Sequence, residues 1–288
     1  MKRVALSNGD LFLELDPEAG GTVSALRHGR LPILRAGPDR TGSTFDAREY
    51  SAFPMLPFVG RIHNARCPFN GRTVQLPMNL PPEPHAIHGH GWQSNWQVEN
   101  KSQVAATMTY QHVTAEWPWH YSARQSFRLH ADGLDVTLSL TNRAESPMPA
   151  GFGWHPYFPK TDATLRLATT QRWTSSNTTG DNQPRALTRH DDLSYLRRVE
   201  SLQLDTTFSI QPEPIELVWP THSITIECDR IFSHATVFTP SGKNYFCVEP
   251  VSHVPNAVNS TLPHRETGLH LLAPGETMSG SLTLRIAF

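Results

Sequence analysis

Several segments of the chain alternate apolar and polar residues with a period of two, as a strand does when one face is buried and the other is wet. In GLDVTLSLTN, Leu134, Val136, Leu138 and Leu140 fall on one side, and the preceding ARQSFRLH puts Phe127 and Leu129 in the same phase. Ala131, Asp132 and Gly133 between the two runs supply a hairpin loop, so an antiparallel pair is predicted here. ATVFT and NYFCVEP form a second predicted pair, joined by Pro240, Ser241, Gly242 and Lys243. SITIEC adds Ile224, Ile226 and Cys228, and the terminal SLTLRIAF adds Leu282, Leu284, Ile286 and Phe288. Helical periodicity is almost absent; DDLSYLRRV, residues 191–199, is the best candidate for a short helix.

The 24 prolines and 18 glycines are spread from end to end, as in a chain of many strands joined by tight turns. This pattern predicts an all-β fold, a large antiparallel sandwich or barrel, which at 288 residues can still be one domain. No repeat, low-complexity tract or linker divides the chain, so residues 1–288 are expected to fold together. Charge adds an exclusion: 25 Lys and Arg stand against 26 Asp and Glu with no run of either sign. Neither a nucleic acid nor an anionic membrane surface is an expected partner.

Asn8, Gly9 and Asp10 interrupt the N-terminal segment before it reaches the length of a signal-peptide core, and no later window approaches a membrane span. Cys67, Cys228 and Cys247 are odd in number and scattered, which fits neither a disulfide framework nor a paired-cysteine zinc site. A soluble protein of the reduced cytoplasm is expected.

Four segments combine residue types that packing alone does not demand. In PFVGRIHNARCPFNGRTVQL, Arg61 is either a surface arginine with a solvated head or a donor to a ligand. In HAIHGHGW, His85, His88 and His90 sit among glycines. A metal would want a carboxylate soon after the His-x-His, but Gln93, Ser94 and Asn95 follow; a zincin would want His-Glu-x-x-His on a helix, which Gly89 and Gly91 disfavour. No metal is therefore expected, and what remains is imidazole on a loop whose backbone can approach a ligand closely.

GFGWHPYF sets His155 among Trp154, Tyr157 and Phe158, which describes either a core histidine or a sugar site, since pyranose rings stack on aromatics. In CVEPVSHVPNAVN, Glu249 follows an apolar strand, where it is either a surface ion-pair partner or a carboxylate tuned by buried neighbours.

In order, these segments resemble the motifs of the aldose 1-epimerase (galactose mutarotase) family. GRIHNARCPFNG is similar to that family's Asn-Arg-Ile segment and Phe-x-x-Gly turn, with Gly60 where many members carry Asn. HGHGWQSNW resembles its His-Gly loop ending in Trp, and His155-Pro156-Tyr157-Phe158 its His-x-Tyr-Phe. Asp205 with Phe208, and Glu249 through Asn259, complete the series.

The resemblance runs from about residue 57 to 259, is closest to the family's compact bacterial branch, and implies a galactose mutarotase-like β-sandwich with few short helices. It further implies an isomerase that interconverts the α and β anomers of an aldohexose by opening and reclosing the ring. It makes Glu249 the base at O1 and His155 the acid at O5, with His88 assisting at the ring oxygen. Arg61, Asp205, His90, Trp154 and Tyr157 are the expected sugar-binding residues, and no cofactor is implied. The partner expected is a small-molecule sugar, bound by a monomer or homodimer. Two alternatives stand beside this reading. One is a 1-epimerase of a phosphorylated or sulfonated hexose, which needs a further cation such as Arg66, Arg172 or Lys243. The other is a sandwich that binds carbohydrate without catalysis.

Overall fold

The computed structural model describes residues 3–38, 45–69, 71–113, 116–174 and 182–288. Two large antiparallel sheets dominate it. The first has eleven strands, in the order Val4–Asn8, Leu11–Asp16, Thr22–His28, Ala52–Met55, Gly153–Pro159, Tyr245–Val251, His234–Phe238, Asp205–Ile210, Thr169–Trp173 and Pro184–Arg185, with Leu31–Pro32 paired to Thr22–His28. The second has nine: Gln97–Lys101, Ala105–His112, Tyr121–Leu129, Gly133–Asn142, Thr277–Ala287, Ser223–Cys228, Ile215–Val218, Thr164–Arg166 and Arg197–Arg198. Among the described residues the one α-helix is the four-residue His264–Thr267. The predicted all-β sandwich is thus observed.

The alternation read from the chain is what packs the two sheets. Phe127 stands opposite Val136 and Leu129 opposite Leu134; across the next ladder Val136 meets Leu282 and Leu134 meets Leu284. These side chains and Leu13, Leu15, Val23 and Leu26 of the first sheet belong to one buried cluster. Burying each such side chain stabilises by about 1.5–3 kcal/mol. The hairpin closes where expected, with the strand resuming at Gly133. A Cβ there would lie 2.1 Å from the Leu284 carbonyl oxygen, so glycine is what lets the strands approach. The strands His234–Phe238 and Tyr245–Val251 also pair as predicted, with Phe238 opposite Cys247 and Thr236 opposite Glu249.

The short helix expected over 191–199 does not form. Asp192 accepts hydrogen bonds from the Ser194 amide and hydroxyl, and Asp191 accepts from the Thr188 amide, so both carboxylates bind local backbone in turns. Leu193 and Val199 are then fastened to other segments through Leu167 and Ala163, and Arg197–Arg198 joins the edge of the second sheet. Leu193 and Val199 reach the core through these tertiary bonds rather than along a helical stripe, while Tyr195 and Leu196 stay exposed. No helix of the described residues is long and apolar enough to cross a membrane.

Candidate active site

Over the first sheet, on the face turned away from the sandwich core, loops enclose a cavity of about 730 Å³. Period-two alternation decides which residues reach it. On Gly153–Pro159, His155 and Tyr157 line the cavity while Trp154 and Phe158 enter the inter-sheet core. Gly153 pairs with Val251 and Tyr157 with Cys247, a register that sets His155 opposite Glu249. Glu249 in turn stands opposite Thr236, and Thr236 opposite Thr207. Histidine, carboxyl and two hydroxyls therefore form a row across four neighbouring strands, and all four line the cavity.

In that row His155 Nε2 lies 3.3 Å from Glu249 Oε1, and both residues are buried. The imidazole is held by rings: Phe53 at 4.4 Å, Tyr157 at 4.8 Å in a stack, and His88 edge-on at 5.5 Å. Burial pushes the Glu249 carboxyl well above the usual range, with the nearby Asp205 charge adding to the shift and Arg61 opposing it. Burial also pulls His155 down to about 3. Both shifts favour uncharged groups, so near neutral pH the pair holds one proton between its two facing atoms. The Thr236 and Thr207 hydroxyls are hydrogen-bonded to each other at 2.8 Å.

His88 comes from a loop clipped to the Arg61 segment. Arg61–Ile62 pairs with Ala86–Ile87, the His88 amide donates to the Gly60 carbonyl, and the Gly60 amide donates to His88 Nδ1 at 3.2 Å. Since Nδ1 accepts, the neutral imidazole carries its proton on Nε2 and is a donor there. Enclosure lowers the His88 pKa well below its ordinary value, and His155 and Arg61 lower it further. The turn requires Gly89: at φ 68°, an added Cβ would sit 1.9 Å from the Leu56 carbonyl oxygen.

Arg61 reaches Glu83 at 3.3 Å through Nη2, while its buried Nε finds no hydrogen-bond partner. Asp205 opens the strand Asp205–Ile210 on the cavity wall, where partial enclosure raises its carboxyl pKa and Arg61 opposes the rise. Arg61 and Asp205 thus offer a forked donor and a paired acceptor to the same space.

Six of the eight expected site residues are brought together here: Glu249, His155, His88, Arg61, Asp205 and Tyr157. Two are not. Trp154 faces the core because its strand neighbour His155 faces the cavity. His90 lies outside the cavity wall, its ring stacked on His112 at 4.5 Å, where burial lowers its pKa to about 3. His85 is a buttress: its Nδ1 accepts the Asn64 amide, and Asn64 adopts a left-handed φ of 51°. Of the further cations considered, Lys243 lines the cavity and has no partner among the described residues. Arg172 is ion-paired with Asp191, and Arg66 is exposed on another strand.

Several lining residues were not foreseen. Phe53, central to the aromatic cluster, comes from the four-residue strand Ala52–Met55, buried throughout and so without alternation to read. Arg35 lies over the rings of Tyr157 and Tyr245 at 3.9 and 4.5 Å and donates to the carbonyls of Arg48 and Tyr50. Thr236 carried a signal, because it faces Glu249 across the hairpin that the sequence predicted.

Comparison with known proteins bears on the family and the fold. Residues 2–285 match the family model of aldose 1-epimerases. The chain is 31% identical to the uncharacterized protein YphB of Escherichia coli (strain K12), over 98% of this chain and 97% of that one. A crystal structure from Escherichia coli K12 superimposes with a TM-score of 0.89 at 27% identity, covering 100% of this chain and 99% of that chain. A galactose mutarotase-like protein from Clostridium acetobutylicum has the same fold, with a TM-score of 0.87 at 20% identity and coverage of 99% and 94%.

Proposed function

The chain belongs to the aldose 1-epimerase family, whose members are isomerases, and from that premise we propose that it interconverts the α and β anomers of a neutral aldohexose, with Glu249 and His155 as the proton-transfer pair. The observation that carries this reading is the buried contact of 3.3 Å between His155 Nε2 and Glu249 Oε1 on the wall of a sugar-sized cavity.

Opening the ring requires removal of the proton on the C1 hydroxyl and delivery of one to the ring oxygen. Rotation about C1–C2 then presents the other face of the carbonyl, and reclosure reverses the two transfers. Moving the single shared proton from Glu249 to His155 produces carboxylate and imidazolium, the base and acid this step needs, without exchange with solvent. Each transfer contributes about 10²–10⁴ in rate. His88, with Nε2–H as donor, is suited to stabilise charge developing at the ring oxygen. Arg61 and Asp205 are suited to the sugar hydroxyls, and Phe53 and Tyr157 to its apolar face.

A neutral sugar is supported by the charges around the cavity. Arg48 is paired with Asp46 and Arg61 with Glu83, while Arg35 is engaged by rings and carbonyls, leaving Lys243 as the one unpartnered cation among the described residues that line it. Besides the paired Asp46 and Glu83, the carboxylates of Glu49 and Asp205 share the same walls and disfavour a dianionic substituent.

Polarimetry of freshly dissolved α-glucose and α-galactose tests the proposal. Acceleration by the wild type is expected, falling by about 10²–10⁴ in Glu249→Gln and in His155→Gln. Acceleration confined to glucose 6-phosphate or a sulfonated hexose would overturn the neutral assignment, and binding of sugar with no acceleration of any would overturn catalysis.

A further inference from the structure

Proton transfer leaves one heteroatom beside the pair unused. Cys247 and Glu249 are two positions apart on Tyr245–Val251 and share a face, as do His155 and Tyr157 on the neighbouring strand. His155 nitrogen, Cys247 sulfur and a Glu249 oxygen consequently lie within 4.8 Å of one another, and all three residues are buried. Cys247 itself is free and closes a small apolar cluster with Phe53, Met55, Trp92 and Tyr157.

Nitrogen, thiolate sulfur and carboxylate oxygen are the donors that zinc takes, at about 2.0–2.3 Å, which puts tetrahedral ligand atoms roughly 3.3–3.8 Å apart. The His155–Glu249 separation of 3.3 Å already matches one edge of such a tetrahedron. Closing the other two edges requires side-chain movement of roughly 1 Å. His155 and Glu249 line the cavity, so a fourth position on that side would be left for water, as in an open zinc site.

We propose that His155, Cys247 and Glu249 form a binding site for a thiophilic divalent cation such as Zn²⁺, and that the bound ion silences the acid–base pair. On binding, the Cys247 S–H bond breaks and an S–Zn bond forms, while the proton shared by His155 and Glu249 leaves as those groups become ligands. Two protons are released per ion, together with all but one of the waters of the hydrated ion, and no electrons move. Binding therefore tightens with rising pH, by up to about 100-fold per unit while both protons are still held. The inhibitory consequence rests on the epimerase reading above; binding of the metal does not.

The experiment titrates the full chain with Zn²⁺ and with Cd²⁺ while following proton release, the ultraviolet thiolate-to-cadmium charge-transfer band and mutarotation. One ion per chain is expected, with two protons released, the cadmium band present and mutarotation lost in step with occupancy. Cys247→Ala and the near-isosteric Cys247→Ser should each lose the band and weaken Zn²⁺ binding by about 100-fold or more. Absence of the band in the wild type, or equal zinc affinity in either folded cysteine variant, would overturn the site whatever the activity. A normal band in a protein that accelerates no sugar would uphold the site and remove only the epimerase reading.

Discussion

The two sheets of this sandwich bury their strands differently. In the second sheet, Tyr121–Leu129, Gly133–Asn142 and Thr277–Ala287 alternate buried and accessible residues along nearly their whole length. In the first, the central strands Ala52–Met55, Gly153–Pro159 and Tyr245–Val251 are buried on both faces almost throughout. One face packs in the core and the other is roofed by the loops that carry His88 and Arg61. A roofed face is where ionisable groups such as His155 and Glu249 escape bulk water and have their proton affinities displaced. The second sheet supplies stability; the middle of the first exchanges some of it for chemistry.

That contrast can be broken most directly at its two centres. Glu249→Gln should cut mutarotation by about 10²–10⁴ while leaving the unfolding midpoint in urea undiminished, since it replaces a buried protonated carboxyl by an amide of the same shape and charge that can still donate to His155. A large loss of stability would instead make Glu249 a structural residue. The converse change is Leu138→Ala at a wholly buried position of the second sheet. It should cost about 2–5 kcal/mol of stability and leave the rate per folded molecule unchanged. A cost below about 1 kcal/mol would remove Leu138 from the packed core.

Acid should act next in magnitude. Burial lowers His234 and His253 to about 4 and His90 to about 3 in the folded chain. His253 is committed as a neutral ring, its Nε2 accepting the Val59 amide and its Nδ1 donating to the Val254 carbonyl. Below pH 6.5 the unfolded chain takes up protons that the folded chain refuses, so stability falls as pH drops from about 6.5 toward 4, by about 1.4 kcal/mol per pH unit for each such histidine. His155 and Glu249 are shifted in opposite directions, so their contributions oppose each other between about 4.5 and 6.5. Urea midpoints between pH 7 and 5 would test this, and a flat profile would contradict these neutral buried rings.

Smaller effects refine the picture. Thr236→Val keeps the branched shape and removes the hydroxyl beside Glu249; KM for the sugar should rise about 2- to 12-fold, corresponding to 0.5–1.5 kcal/mol for one hydrogen bond. An unchanged KM would place the substrate elsewhere along the row. Arg124→Ala, which breaks an ion pair with Glu99 between two side chains 47% and 43% exposed, should change stability by no more than about 0.5 kcal/mol, and by less in high salt.

Alternation along the chain determined the strand pairs around 121–142 and 234–251, because a period of two is a local property that survives wherever one face is wet. The order of polar motifs likewise determined which family the chain resembles and six of the residues that meet at the cavity. Tertiary structure alone decided the rest. Strand phase turned Trp154 into the core and His155 out of it; two-sided burial concealed Phe53; and the loop around His90 packed that ring on His112 instead of on the cavity. The cluster His155–Cys247–Glu249 was likewise invisible to spacing, since His155 lies far in the chain from Cys247 and Glu249 and meets them only through the register of adjacent strands. Composition and periodicity set what a segment prefers, but which of two buried faces a side chain enters depends on its partners across the sheet.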